Sequence, residues 1–342
     1  MIRNALLALL LTTSLTGPTR ANSDLNAATA ANLRGDYAAA MRIIWPSAAK
    51  GEAWAQSFLG DKFRLGQGVA LNHTEAVKWY RLAAVQGLAD AQFNLGFLYV
   101  HGQGVPQDYT EAAKWYRLAA AQGHPIAQLN LGLMHTEGRG VAQNHAEAAK
   151  WYRLAAAQGH PIAQLKLGLM HAEGQGAAQD QAEAAKWYRL AAAQGNASAQ
   201  FKLGVMYYDG RGVPLDRAEA VKWHRLAAAQ GDASAQFNLG VIYDTGQGVA
   251  QDHAEAVKWH RLAAARGYIF AQYNLGVWYA EGQGSPQNAV MAHMWLSLAS
   301  AKGVGDGAKH RDRVAKLMTP QQIAEAQKLA RDCLARNLRG CG

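Results

Sequence analysis

Several residues in this 342-residue chain have types or spacings that could support chemistry. Ser47 and Lys50 form a Ser-x-x-Lys string, in which a lysine can activate a serine as an acyl-transfer nucleophile. The companion strings Ser-Asp-Asn and Lys-Thr-Gly are absent from the sequence. Because Lys50-Gly51 also resembles an ordinary helix end, we interpret this string as structural rather than catalytic.

Glycines and histidines give no stronger signal for a cofactor or a metal. Gly-x-Gly recurs from Gly66 to Gly284, but it lacks the third glycine of a dinucleotide-binding loop and follows no predicted strand. The histidines, such as His135 and His171, are scattered, and no pair has the spacing of a helical zinc site. We therefore expect no catalytic residue, no cofactor and no metal, and we predict that the chain is not an enzyme.

The N-terminus predicts export. Residues 1–21 combine Arg3, an apolar run and a Thr-Arg-Ala cleavage site, and the run is too short for a membrane anchor. Cleavage after Ala21 would lower the formal charge of +9 by two and leave no later transmembrane segment. In an oxidising periplasmic or external compartment, Cys333 and Cys341 are spaced so that a disulfide is permitted but not required.

The elements that position all of these residues follow one internal repeat. The sequence repeats Leu-Gly, Gly-x-Gly and a tryptophan at the same step of 36 residues. The tryptophans, which we expect to be structural, are Trp79, Trp115, Trp151, Trp187, Trp223, Trp259 and Trp295.

Each repeat predicts a helical hairpin. In residues 88–123, Ala91, Leu95 and Leu98 have helical spacing, and the Gly-x-Gly that follows ends this first helix. Asp108 with Glu111 predicts a capping box at the start of a second, slightly longer helix that ends at a Gln-Gly pair. The glycine inside the first helix indicates close contact with a neighbouring backbone. Stacked hairpins bury faces that one hairpin cannot, with tryptophan filling the space between helices, so the fold class is all-α.

The repeated residues resemble the Sel-1-like repeat family, which is related to the tetratricopeptide repeat. This resemblance implies a right-handed α/α superhelical solenoid of about seven 36-residue hairpins with terminal caps. It also implies a scaffold or adaptor for protein partners, and exported bacterial members are associated with the cell envelope. The expected segments are a cleaved signal peptide, a degenerate N-terminal capping unit, seven repeats and C-terminal capping helices, at residues 1–21, 22–51, 52–303 and 304–342.

Two polar rows on the first helices predict where a protein or peptide partner binds. If first helices line the concave side, as in tetratricopeptide solenoids, an amide and lysine row faces a groove and suits an extended peptide. An acidic row lies seven residues further on each helix. The candidate partner-binding residues are Asn94, Asn130, Lys166, Lys202, Asn238 and Asn274 in the first row and Glu137, Glu173, Asp209 and Glu281 in the second. The alternative is a solvated face that binds only water and neighbouring repeats.

Two other functions remain as alternatives at this stage, and a third is not expected. Cysteine-rich relatives of the family are labelled β-lactamases, which would make Ser47 a hydrolase nucleophile, but their paired cysteines are absent here. The positive charge also suits an envelope polysaccharide or another anionic envelope surface. We do not expect nucleic-acid binding, because lysines such as Lys114 recur three residues after glutamates such as Glu111 and can pair with them.

Overall fold

The helices of this protein begin and end where the repeat places its caps. The computed structural model describes residues 20–304, 306–338 and 340–341, and in that part of the chain all regular structure is α-helical. The predicted signal at residues 1–21 lies outside it except for its last two residues, which begin the first helix.

Each hairpin has a first and a second helix of 13 residues, so the expectation of a longer second helix is wrong. The first helices are α3 (Ala53–Leu65), α5 (Ala89–His101), α7 (Pro125–Glu137), α9 (Pro161–Glu173), α11 (Ala197–Asp209), α13 (Ala233–Thr245) and α15 (Ile269–Glu281). The second helices are α4 (His73–Val85), α6 (Tyr109–Ala121), α8 (His145–Ala157), α10 (Gln181–Ala193), α12 (Arg217–Ala229), α14 (His253–Ala265) and α16 (Ala289–Ala301). The flanking helices are α1 (Arg20–Leu33), α2 (Tyr37–Ala49), α17 (Gly307–Ala315) and α18 (Pro320–Ala335).

The chain divides after Asn144 into two compact units, each of which is an all-α stack of hairpins. In the first unit, α1 to α7 pack in chain order, each helix against the next. In the second unit, α8 to α16 do the same, and α17 and α18 both pack against α16. This arrangement confirms an all-α solenoid of 36-residue hairpins.

The turns confirm the role of the first glycine in Gly-x-Gly. Gly102 ends α5 in the left-handed region, with φ of 63°, a conformation that costs glycine little. Gly104, two residues later, is needed for contact between hairpins. A Cβ added there would lie 2.3 Å from the carbonyl carbon of His73, at the start of α4. Only a residue without a side chain lets the turn of one hairpin contact the backbone of the previous one.

The predicted N-caps of α4, α6, α10, α12 and α14 are confirmed, but the reciprocal half of the predicted capping box is wrong. The side chain of Asp108 accepts a hydrogen bond from the backbone N–H of Glu111 at 3.0 Å. The backbone N–H of Asp108 instead donates to the carbonyl oxygen of Tyr99 at 3.0 Å, which closes the turn. Glu111 is therefore free to accept hydrogen bonds from Lys114 and Trp115.

A ladder of buried glutamines holds successive hairpins together. Gln92 lies inside α5 and donates from Nε2 to the carbonyl oxygen of Ala84 at 3.0 Å. Its Oε1 accepts a hydrogen bond from Gln122, at the end of α6, at 2.8 Å. Gln200 bonds in the same way to Ala192 and Gln230. Each glutamine thus joins the ends of two successive second helices through its side-chain amide.

The leading helices are held by a buried lysine where other hairpins have an apolar residue. Lys62 lies at the register of Leu98, and its ammonium contacts the side-chain oxygens of Asn32 and Gln67. The same ammonium lies 4.8 Å from the ring centroid of Tyr37, a cation–π contact. Burial lowers the pKa of Lys62.

The C-terminal helices are fixed by a cap and a covalent bond. Thr319 and Gln322 form a complete capping box at the start of α18. Cys333 and Cys341 form a disulfide with their Cα atoms 5.5 Å apart. Both cysteines are buried in the core of the second unit.

Candidate functional site

Three cavities lie at equivalent positions of the repeat. One, of about 290 Å³, lies between α5 and α7 in the first unit. Two lie in the second unit, with volumes of about 220 Å³ between α11 and α13 and about 170 Å³ between α15 and α17. The walls of the first two cavities are formed by the first helices of two consecutive hairpins. In the last cavity, α17 replaces the second of these two helices. First helices therefore form most of the walls of these cavities.

The floor of each cavity is the residue directly after the repeated tryptophan. It is Tyr116 in the first cavity, His224 in the second and Leu296 in the third. A Cβ added to Gly96 would lie 2.8 Å from the ring of Tyr116, and one on Gly204 would lie 2.8 Å from the ring of His224. The glycine inside each first helix thus makes room mainly for a side chain. The expectation of a neighbouring backbone holds only in part, because a Cβ on Gly96 would also lie 3.2 Å from the backbone oxygen of Ala112.

This floor residue, not the tryptophan, is the buried ring of most hairpins. Tyr80, Tyr116, Tyr152 and Tyr188 are at most 2% exposed. The tryptophans are half-buried except for Trp295, which is fully buried. The expectation that tryptophan fills the space between helices holds fully only for Trp295. The regular Tyr-to-His change after the tryptophan was the sequence signal that could have identified the floor.

In the first unit, the cavity has a paired polar rim. Tyr116 and Asn130 both line this cavity, and burial raises the pKa of the Tyr116 phenol above its ordinary value. Glu137 forms an ion pair with Arg139 at 3.0 Å. The guanidinium of Arg139 also lies 5.9 Å from the ring centroid of Tyr109. The cavity thus offers an apolar interior beside an amide and a compensated charge pair.

In the second unit, the larger cavity contains an unpartnered polar floor. His224 is 1% exposed, and neither of its ring nitrogens has a hydrogen-bond partner. Burial lowers the pKa of His224 to about 4, so the imidazole is neutral near pH 7. Asp209 at the rim pairs with Arg211 at 2.8 Å. The arrangement can accept and donate hydrogen bonds but supplies no activated nucleophile.

The candidate rows are partly gathered at these cavities. Asn130 and Glu137 line the first cavity, Asn238 and Asp209 the second, and Glu281 the third. The remaining candidates line none of the three. Of these, the half-buried ones are Asn94, Lys166 and Asn274, and the exposed ones are Lys202 and Glu173.

The repeated basic residues are largely occupied within the fold. Lys186 pairs with Glu183 at 2.9 Å, and the same pair recurs on each second helix from α4 to α14. Arg189 donates a hydrogen bond to the hydroxyl of Tyr207 on the next first helix, at 3.0 Å. The repeated lysines therefore form ion pairs within the second helices, and Arg189 makes a contact between helices.

The weaker chemical candidates remain apart. Ser47 is buried near the end of α2, whereas Lys50 is the exposed residue that caps this helix. Within the described ranges, no three His, Cys, Asp or Glu side chains are grouped so that they could hold a metal ion. No helix among the described residues is long and apolar enough to cross a bilayer.

Comparison with known proteins gives one consistent relationship. A model of the Sel1 repeat matches seven consecutive segments, residues 55–88, 89–124, 125–160, 161–196, 197–232, 233–268 and 269–304. No curated protein matches the chain.

Two solved structures are similar over most of the chain. The crystal structure of a Sel1 repeat protein from Oxalobacter formigenes is 34% identical, with a TM-score of 0.61, and the match covers 70% of this chain and 96% of that one. That of c5321, described as a protective antigen present in uropathogenic Escherichia coli strains and displaying an SLR fold, is 27% identical, with a TM-score of 0.56. This second match covers 93% of this chain and 92% of the antigen.

Proposed function

Because the chain belongs to the Sel1 repeat family, whose members are generally protein-interaction scaffolds, we propose that it is a non-enzymatic adaptor that binds a partner segment between successive first helices. The observation that carries this proposal is the recurrence of a cavity at one register of the repeat in both units. A scaffold that binds an extended chain needs such regularly placed sites.

The chemistry of the cavities supports a peptide as the ligand. Amide side chains such as Asn130 and Asn238 can donate to a peptide carbonyl and accept from a peptide N–H. Apolar walls, such as Val205 and Val241, provide pockets for the alternate side chains of an extended segment. The rim charges Glu137 and Asp209 are each compensated by an arginine, so an entering peptide needs no net charge.

We place the protein in the cell envelope, as an exported periplasmic or secreted adaptor. The character of residues 1–21 supports export. The Cys333–Cys341 disulfide is of a kind that persists in an oxidising compartment. A structural relative described as a protective antigen is in keeping with this location.

Site-specific photo-crosslinking in the exporting cell tests the proposal. A photoreactive residue replaces Asn238 in the cavity, and a matched one replaces Leu226, which is 49% exposed on α12 and outside the cavity lining. We expect a discrete protein adduct at position 238 and not at position 226. Adducts of equal strength at both positions, or an adduct only at 226, would contradict the groove.

Crosslinking tests one of the two remaining functions, and a turnover assay tests the other. Crosslinks to polysaccharide instead of protein would indicate that the ligand is an envelope glycan rather than a peptide. To test the hydrolase hypothesis, the turnover of nitrocefin is measured for the purified wild-type protein and for the Ser47→Ala variant. We expect equal, background turnover from both, because Ser47 is buried and the exposed Lys50 lies at the end of the helix.

A further inference from the structure

The floor position of the repeat changes chemistry along the chain. It is tyrosine in α4, α6, α8 and α10, histidine at His224 and His260, and leucine at Leu296. An imidazole is shorter than a phenol and lacks its hydroxyl. Tyr116 and Asn130 line the first cavity together, and His224 and Asn238 are their equivalents in the second. The change to histidine therefore removes from the second cavity a hydroxyl that the first cavity contains.

The two histidines differ in what takes the vacated space. Trp278 packs edge-on against His260, with ring centroids 4.7 Å apart. The residue equivalent to Trp278 beside His224 is Ile242, which is much smaller and lines the cavity of about 220 Å³. The tryptophan thus fills the space beside His260, whereas the space beside His224 remains a cavity.

The open cavity has the size and polarity for an aromatic ring with a hydroxyl. Cavities of about 150 Å³ suffice to hold benzene in a protein core. Val205, Val241 and Ile242 supply apolar walls for a ring. The neutral imidazole of His224 has one donor and one acceptor nitrogen, both buried and both without partners. An unsatisfied buried polar group of this kind favours a ligand that hydrogen-bonds to it.

We propose that the His224 pocket, defined by Val205, Tyr208, Asp209, His224, Asn238, Val241 and Ile242, binds a tyrosine side chain of the partner. The phenol ring lies between the apolar walls, and its hydroxyl hydrogen-bonds to His224 or Asn238. This specificity rests on the proposed function, because the tyrosine is presented by a segment bound along the first helices. In this proposal the partner supplies to the second cavity the phenol that Tyr116 supplies to the first.

Other side chains fit the pocket less well. Phenylalanine fills the apolar volume but leaves His224 unpaired. Serine and threonine carry the hydroxyl but leave most of the volume empty. The carboxylate of Asp209 already pairs with Arg211 at 2.8 Å, so an entering ammonium group would have to displace this arginine. A phosphotyrosine would place negative charge beside that carboxylate and a neutral imidazole.

The test uses N-acetyl-tyrosinamide and N-acetyl-phenylalaninamide as probes with the full chain. Binding is followed by NMR of protein labelled with ¹⁵N in the histidine rings. The His224 signals are assigned by their loss in His224→Tyr. We expect the tyrosine probe to shift the His224 signals with an affinity about tenfold higher than that of the phenylalanine probe, as for a site that hydrogen-bonds a hydroxyl.

Two variants test where the probe binds. Ile242→Trp copies the residue that closes the space beside His260 and leaves His224 in place, and we expect it to weaken binding at least about tenfold. Ile242→Leu copies Leu98 at the same register and should retain binding. Circular dichroism confirms that both variants fold. Equal binding of the two probes, or wild-type binding by a folded Ile242→Trp, would overturn the proposal.

The outcomes separate this inference from the broader function. If the tyrosine probe fails while the photoreactive residue at position 238 still captures a protein, only the specificity is wrong. If the probe binds but crosslinking occurs only at position 226, the pocket exists and the groove function is wrong.

Discussion

Replacing His224 by tyrosine should change how the stability of this protein depends on pH. Burial lowers the pKa of His224 to about 4, whereas in the unfolded chain it is about 6.5. Below pH 6.5 the unfolded state therefore binds a proton that the folded state does not, and stability falls with pH until about pH 4. At pH 4.5, two units below the unfolded value, the loss from this residue is about 3 kcal/mol. A tyrosine at this position does not titrate in this pH range. The His224→Tyr variant should therefore keep the free energy of unfolding that the wild type loses through His224.

The assay is urea unfolding followed by circular dichroism, at pH 7.5 and pH 4.5, for wild type and His224→Tyr. Tyrosine is tolerated at this position, since Tyr188 packs against Gly168 in the way that His224 packs against Gly204. We expect the variant to be at least as stable as wild type at pH 7.5, because the larger ring fills the cavity. At pH 4.5 its advantage should grow by about 3 kcal/mol. If both proteins lose the same free energy of unfolding between the two pH values, the claim that His224 is buried in its neutral form is refuted.

Three further predictions concern the packing of the hairpins, and urea unfolding measures each of them. Gly204→Ala should destabilise by about 1–3 kcal/mol although alanine is the better helix former, since its Cβ would lie 2.8 Å from the floor ring; a stabilised variant would contradict this contact. Tyr188→Ala should cost about 3–5 kcal/mol and more than Trp187→Ala, because the tyrosine is 2% exposed and the tryptophan is half-buried; the reverse order would restore the tryptophan as the main core ring. Gln200→Ala should cost about 1–3 kcal/mol, because it removes two hydrogen bonds that join successive hairpins, one to the carbonyl oxygen of Ala192 and one from Gln230. A neutral effect would exclude the glutamine ladder as a stabilising contact.

The fold could be predicted from the sequence because its period and its caps are local signals. Gly102 ends a helix by its own backbone preference, and Asp108 begins one with a side chain that reaches only three residues ahead. The roles of Gln92 and Tyr116 could not be read in this way, since they depend on contacts made between helices. Their fixed spacing was visible, but spacing alone does not say which side chain is buried.

The candidate site was predicted in part for the same reason. The polar rows included Asn130 and Asn238, which line two of the cavities, since helical spacing decides which residues share a face with the cavity walls. The floor residue comes from the second helix, so a search along the first helices missed it. The pocket at His224 further depends on Ile242 being smaller than Trp278, a relation that only the packing of neighbouring hairpins reveals.

The central claim is that the partner binds between first helices. The most direct test is calorimetry with the purified partner protein that the crosslinking experiment identifies. Asn238→Arg places a large charged side chain in the cavity, whereas Leu226→Arg places the same side chain on the exposed surface of α12. We predict that Asn238→Arg weakens binding at least about tenfold and that Leu226→Arg leaves the affinity unchanged. Unchanged affinity for a folded Asn238→Arg, with a loss for Leu226→Arg, would contradict the account.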